Sequence, residues 1–408
     1  MLSVIIPVHN EEKTICKTVD SLLIQDYYPF EIIIVDDGST DKTSVKLIES
    51  FTLNQISFEQ QENCLNSKKI VRFWYAICQN VLLFLLEKEN GGKSDALNAG
   101  ISFCKGEYFV CVDADCILAN DTIKNLVEAI RKNSNTAAIG GRVLPIYGLS
   151  DFSYDKKISL KNVLQSFQEI EYGIAFRIAR PIFDSIDASL LISGALGIFR
   201  KVDVMKLGGY ALDTVGEDFE LAMRIRQYSA KNKKNFKIGY TKKALCYTEL
   251  PWKIKDFIKQ RIRWSIGLTE VLRKYRRMAY GKEYTCFEKI AYWFYILFEK
   301  YSPHIEFISL ITCAIFGISK FWMLIIQCML LSRLILSIVS SFQSLKRGLE
   351  SSNDIFRTLF RYLSLLISFI SVYHFIHSFI RLIAVPYHKF QKHKSKNKKV
   401  GWNSPTRM

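Results

Sequence analysis

At 408 residues the chain is longer than a usual single domain, so a catalytic domain joined to a second region is expected. Hydrophobic residues make up 49% of it and charged residues 23%, a mixture that suits a soluble domain attached to membrane spans better than either alone. The net charge of +17 would suit a nucleic-acid binder, but the excess gathers beside apolar runs, at Arg273, Lys274, Arg276 and Arg277 and in a tail holding Lys389, Lys392, Lys394, Lys396, Lys398 and Lys399. With no arginine-rich reader helix and no zinc-ligand spacing, nucleic acid is set aside as a partner and contact with a lipid bilayer is expected.

In chain order, Ser3 to Pro7 reads as a buried strand of β-branched residues, and Glu11 to Leu23 carries helical spacing at Ile15, Val19 and Leu22. Ile32 to Val35 is a second strand, ending in the turn Asp36-Asp37-Gly38-Ser39-Thr40-Asp41 with a helix after it. Strand and helix in alternation predict a parallel sheet whose ligands bind at the carboxyl ends of its strands. The apolar stretch Lys69 to Leu86 is interrupted by Arg72, Gln79 and Asn80, and is read as an internal helix and strand or as a helix lying on a bilayer. Gly91-Gly92-Lys93-Ser94 opens a helix, Tyr108 to Val112 and Ala137 to Val143 are strands, and helices are expected around Asn120 to Arg131 and Lys161 to Arg177.

From Ile305 the character changes. Ile305 to Ser319, Phe321 to Phe342 and Leu359 to Val385 are candidate membrane spans, and Phe287 to Phe298 is an interfacial helix. The expected organisation is a catalytic domain over 1–284, an interfacial helix over 285–302, transmembrane helices over 303–386 and a basic tail over 387–408. Three spans would place the basic tail opposite the catalytic domain, against the positive-inside tendency, and a fourth element between Phe287 and Ser302 would restore an even number. The ten cysteines form no CxxC pair, and Val4-Ile5-Ile6-Pro7 follows Met1 too closely for a signal peptide. Both point to a cytosolic catalytic domain with reduced thiols, in a multi-pass protein of the plasma membrane.

Several positions carry chemistry. Asp113 and Asp115 follow a strand and point to the same side, where carboxylates suit Mg²⁺ or Mn²⁺; an Asp-x-Asp by itself is more often a solvated turn. Asp36 ends the second strand, where it can accept from a base or ribose or merely cap a turn, as Asp37, Ser39 and Asp41 do. Lys93 at a glycine turn before a helix suits a phosphate, although the spacing is not that of a P-loop. Glu217 and Asp218 are either ordinary first-turn acids or catalytic carboxylates. Gln260, Arg263 and Trp264 suit a sugar or diphosphate, and equally an amphipathic helix at a headgroup layer. Glu306, Arg333, His374 and Arg381 are ionisable residues within or near the candidate spans, where a polar glycan path and snorkelling are both open readings.

Taken jointly, Val4 to Glu12, Asp36-Asp37-Gly38-Ser39, Asn90-Gly91-Gly92-Lys93 with Ala96-Leu97-Asn98, Asp113-Ala114-Asp115, Ser193-Gly194-Ala195, Gly216-Glu217-Asp218 and Gln260 to Trp264 resemble the processive family 2 glycosyltransferases. That group includes synthases of poly-N-acetylglucosamine, chitin oligosaccharide, hyaluronan and cellulose. The resemblance covers roughly Ser3 to Gly267 and lies in the order of the motifs rather than in any one of them. It implies an α/β GT-A fold with a mostly parallel sheet, followed by a C-terminal α-helical transmembrane region. It also implies an inverting, metal-dependent transfer from a UDP-sugar, most simply UDP-GlcNAc, to a growing β-linked glycan.

Residue by residue, Asp218 resembles the general base, Asp115 the ligand of Mg²⁺ or Mn²⁺, and Asp113 the carboxylate on the nucleotide side. Pro7, Glu11, Asp36 and Lys93 fall in the donor site. Gly194, Ala195, Glu217, Gln260, Arg263 and Trp264 fall where the family holds acceptor and diphosphate. Relatives commonly have membrane helices before the catalytic domain, so an accessory membrane subunit or an oligomer is expected to complete a channel. Two other readings are a non-processive transferase acting on a lipid acceptor and a catalytically silent glycan-binding subunit.

Overall fold

The computed structural model describes residues 1–57, 65–146, 160–316, 320–351 and 363–394. Its centre is four parallel strands, β1 (Leu2–Val8), β2 (Phe30–Asp36), β5 (Val81–Lys88) and β6 (Tyr108–Val112). Helices α1 (Ile15–Leu23), α2 (Thr43–Phe51) and α3 (Lys93–Phe103) lie in the crossovers between them. β1 is buried along its whole length because both its faces are covered. Val4, Ile6 and Val8 pack with residues of α1 in one core, whereas Ile5 packs with Ala96, Leu97 and Ile101 of α3 in the other.

The sheet extends on both sides with β3 (Asn54–Gln55), β4 (Ile70–Cys78), β7 (Cys116–Leu118), β8 (Thr136–Ile146), β9 (Leu196–Arg200) and β10 (Lys237–Glu249). The order is β3-β4-β5-β2-β1-β6-β9-β8-β10-β7. This corrects the expectation of a mostly parallel sheet. β9 runs antiparallel to both β6 and β8, and β3, β4 and β7 are also antiparallel additions, so the sheet is mixed. Further helices are α4 (Thr122–Arg131), α5 (Leu160–Gly173), α6 (Arg180–Ser185), α7 (Lys201–Lys206) and α8 (Glu217–Asn232). A π-helical stretch, Ile174–Ala179, joins α5 to α6.

The apolar stretch from Lys69 is a β-hairpin, not a helix and strand. Gln79 and Asn80 both take positive φ, 49° and 65°, and close β4 onto β5 with Cys78 opposite Val81. A two-residue turn with both φ positive matches the right-handed twist of a hairpin, which explains why these two polar residues interrupt the run. Arg72 and Trp74 of β4 reach across to Glu87 of β5, at 2.6 Å and 2.8 Å.

The carboxyl-terminal helices are α9 (Ile254–Lys274), α10 (Cys286–Phe294), α11 (Ser302–Phe316), α12 (Lys320–Ser351) and α13 (His374–Lys394). Among the described residues no helix is long and apolar enough to cross a membrane. This overturns the expected C-terminal transmembrane region, with its spans at Ile305 to Ser319, Phe321 to Phe342 and Leu359 to Val385, and the multi-pass plasma-membrane placement built on them. α11 has 15 residues, about 22 Å at 1.5 Å per residue against a hydrocarbon core of about 30 Å. α12 carries Arg333 paired with Glu306 of α11, and α13 carries His374, whose Nε2 lies 3.1 Å from the same carboxylate. The stretch after Lys394, which holds part of the expected basic tail, lies outside the described residues.

Candidate active site

The carboxyl edge of the parallel strands gathers most of the expected site residues. Asp36 is the last residue of β2, Asp113 follows β6 directly, Lys93 is the first residue of α3, and Glu217 and Asp218 open α8. Lys93 Nζ lies 2.6 Å from Asp113 Oδ1 and 3.5 Å from Glu217 Oε1. Burial by itself would depress the Lys93 ammonium, but the Asp113 and Glu217 carboxylates outweigh it and hold its pKa well above the ordinary lysine value. Asp113 is shifted up, first by burial and then by the charge of Asp115, with Lys93 opposing.

Asp218 lies beside the same cluster, close enough for its charge to act on Lys93. Its Oδ2 accepts the Gly194 N–H at 3.0 Å and its Oδ1 accepts the Phe219 N–H at 2.8 Å, so backbone groups hold both oxygens. A Cβ at Gly194 would sit 2.9 Å from Lys93 Nζ and 3.5 Å from Asp218 Oδ2. A side chain at this position would crowd the Lys93 ammonium and touch the Asp218 carboxylate. Ala195 follows at the entry to β9.

Asp37 is the residue whose weight the motif pattern understates. It is fully buried, pairs with Lys88 Nζ at 2.5 Å, and accepts the N–H groups of Gly91 at 2.9 Å and Gly92 at 2.7 Å. Lys88 also pairs with Asp95 in the first turn of α3, at 2.7 Å. Far from being only a cap, Asp37 fastens the glycine turn that aims Lys93, and the Asp-Asp pair at the end of a strand was the available signal. Asp36, expected at the nucleotide, accepts the Ser39 N–H at 2.9 Å and the Ser44 hydroxyl. Pro7 lies beside Val35 in the sheet, and the buried Glu11 accepts the Thr14 hydroxyl at 2.9 Å.

Gln260, Arg263 and Trp264 lie on α9. That helix meets the start of α8 where Gly267 packs on Gly216, so the Asp218 turn and the Gln260 to Trp264 stretch are held against each other. The Trp264 side chain is 42% exposed, with one ring face on the Arg261 guanidinium at 4.3 Å.

Asp115 sits in the short connection between β6 and β7, where the Cys116 N–H bonds the Asp113 carbonyl at 3.1 Å. Among the described residues no group of three or more His, Cys, Asp or Glu side chains converges as a ready-made metal cage. Two neighbouring carboxylates do fit a hard cation that takes its remaining ligands from phosphate and water. All of the described cysteines are unbridged thiols, and Cys104 and Cys111 are buried.

A carboxylate-rich edge of an α/β sheet, with a lysine at a glycine turn and an acid at a helix start, is an arrangement suited to group transfer. The chain matches Glycosyl transferase family group 2 over residues 108–376, well over half its length, and Glycosyl transferase family 2 over residues 3–60. It belongs to that family and is a glycosyltransferase.

Among its relatives is the poly-β-1,6-N-acetyl-D-glucosamine synthase of Staphylococcus epidermidis, 27% identical over 272 residues, which are 66% of this chain and 55% of that one. The synthase of the same name from Staphylococcus aureus strain COL is 27% identical over 265 residues, 65% and 53% of the two chains. The chain thus spans about half the length of these synthases. A solved structure, the mannosyltransferase PcManGT from Pyrobaculum calidifontis in complex with GDP-Man and Mn²⁺, superposes with a TM-score of 0.55 at 17% identity. It covers 96% of this chain and 87% of its own, so the two share the GT-A-type fold.

Proposed function

We propose that this chain transfers N-acetylglucosamine from UDP-N-acetylglucosamine to the growing end of a β-linked glycan, with inversion at the anomeric carbon. The observation that carries the reading is the approach of two groups at one edge of the sheet: Lys93 beside Asp113, and Asp218 across Gly194 from them. The sugar is suggested by the two staphylococcal synthases.

In this reading Pro7, Glu11 and Asp36 border the uridine and ribose end of the donor, and Lys93 meets the diphosphate as a point charge. Asp115, with Asp113, would hold Mg²⁺ or Mn²⁺, whose charge offsets that of the departing diphosphate. The acceptor hydroxyl oxygen bonds to the anomeric carbon as the bond from that carbon to the diphosphate oxygen breaks. The electron pair leaves on UDP, and the hydroxyl proton passes to an oxygen of Asp218. One displacement turns an α-linked donor into a β-linked product, so a single carboxylate base suffices. Gly194, Ala195 and Glu217 border the acceptor side, where Gln260 and Trp264 meet its sugar ring and Arg263 takes the diphosphate oxygens.

The test is UDP release and product length from the purified full chain with a panel of UDP-sugars and Mg²⁺ or Mn²⁺. UDP-N-acetylglucosamine should be turned over fastest and give a ladder of products. Asp218→Asn should lower kcat about 10²- to 10⁴-fold while UDP still binds. A single added sugar would move the reading to a non-processive transferase, and unchanged turnover in Asp218→Asn would refute the base.

A further inference from the structure

Within the Gln260 to Trp264 stretch, Arg261 is the most constrained side chain. It is 1% exposed. Its Nη2 donates to Glu171 Oε2 at 2.5 Å and approaches the Tyr373 hydroxyl at 3.4 Å, while that hydroxyl donates to the same Glu171 oxygen at 2.7 Å. Its Nη1 donates to Gln260 Oε1 at 3.2 Å, and the guanidinium carbon Cζ lies 4.3 Å from the Trp264 ring centre and 4.8 Å from that of Phe257. One cation therefore touches both Gln260 and Trp264 and is anchored from two other helical segments. Glu171 belongs to α5, and Tyr373 ends the π-helical turn Phe369–Tyr373 that leads into α13.

The anchors are themselves immobilised. The Tyr373 ring packs against Phe167 at 5.2 Å, Phe257 at 5.7 Å and His377 at 5.9 Å between ring centres. A flat guanidinium held over an indole face restricts how that indole can tilt, which a point-charge lysine in its place would do less well. Because Nη1 takes Gln260 Oε1, the amide NH₂ of Gln260 is the end left to donate. The partly exposed face of Trp264 is thus aimed by residues that themselves lie outside the pocket.

We propose that Glu171 and Tyr373 are positioning residues for the acceptor: through Arg261 they fix the angle at which Trp264 and Gln260 meet the sugar at the acceptor end. This rests on the reading above, in which Trp264 faces the acceptor. Loosening the anchor leaves Lys93, Asp113 and Asp218 in place, so it weakens acceptor binding and shortens the product without altering donor binding.

The test measures two things on the full chain: binding of a β-linked N-acetylglucosamine oligosaccharide in the presence of UDP, by calorimetry, and steady-state turnover with acceptor and donor varied separately. Tyr373→Phe keeps the ring and removes the hydroxyl; Glu171→Gln keeps an acceptor and removes the charge. Each should weaken oligosaccharide binding and raise the acceptor KM about tenfold, since small misorientations of a bound group carry penalties of that order. Donor KM, and kcat at saturating acceptor, should stay within about twofold. Glu171→Asp should recover part of the loss. If Glu171→Gln fails to fold, the ring-preserving Tyr373→Phe decides alone. Wild-type protein that binds the oligosaccharide with both variants unaffected overturns this inference and leaves the function standing. Acceptor KM, donor KM and kcat moving together would mark a merely structural role and overturn it too. Wild-type protein that binds no such oligosaccharide overturns both.

Discussion

Gly216 and Gly267 touch backbone to backbone: a Cβ built on Gly267 would lie 2.8 Å from the Gly216 Cα and 2.9 Å from its nitrogen. This contact joins the start of α8, which bears Asp218, to α9, which bears Trp264. Gly267→Ala is therefore expected to push the two helices apart. Overpacking of this kind costs about 1–3 kcal/mol. A lowered melting temperature together with reduced UDP release checks it, and an unchanged melt would show that the helices separate freely.

The buried Lys88 is compensated by Asp37 and Asp95. Asp37→Asn removes one partner and leaves the cation under-compensated, so a loss of about 3–5 kcal/mol in unfolding free energy is expected. Replacing both, with Asp37→Asn and Lys88→Met, should cost less than the sum of the two single changes, because each single change already breaks the same Lys88–Asp37 pair, although Asp95 loses its cation in the double variant as well. Chemical denaturation of the three variants measures this, and simple additivity would contradict the pairing.

Lys93 is the cation nearest Asp113 and Glu217, and Lys93→Met leaves those carboxylates facing each other. Nucleotide affinity should fall about tenfold or more, because truncating one member of a buried charge pair costs about 2–5 kcal/mol and the diphosphate loses its cation. Titration calorimetry with UDP provides the readout. Asp115→Asn should instead raise the Mn²⁺ concentration needed for half-maximal UDP release, and chelation of divalent cations should stop release in the wild type.

His374 is half-buried between Glu306, Arg333 and Arg381, and desolvation first and then the two arginine cations push its pKa down to about 3. The unfolded chain takes up this proton near pH 6.5 whereas the folded chain refuses it, so the unfolded state binds more protons between the two values. The stabilisation is complete above the ordinary histidine value and is lost as pH falls below it, by up to about 1.4 kcal/mol per pH unit. Thermal melts should show a lower midpoint at pH 5 than at pH 7.5, with a shallower dependence in His374→Gln. A flat wild-type profile would refute the burial of a neutral imidazole.

Much of the site was legible because its parts sit at the ends of local elements. Asp36, Asp113, Lys93 and Asp218 each stand where a strand ends or a helix begins, and in a sheet with parallel central strands those ends share one edge. The hairpin through Gln79 and Asn80 was not legible in the same way, because a run of Phe, Trp, Tyr and Val has no decisive period. The membrane spans were expected from apolar runs alone, and ionisable side chains on α11, α12 and α13 instead find one another.

By itself, then, the amino-acid sequence determined the order of strands, turns and acidic motifs, and with it the family and the edge where chemistry is arranged. Only the tertiary structure decided that Asp37 fastens the Lys93 turn, that β9 enters the sheet antiparallel, and that Arg261 is held by Glu171 and Tyr373. The reason is separation along the chain. Glu171 and Tyr373 lie 90 and 112 residues from Arg261, and neither side chain has a local pattern that reveals its partner. The pairing arises from burial: a guanidinium removed from water needs its charge compensated, and the fold brings Glu171 and Tyr373 to its Nη2 while its Nε has no partner among the described residues.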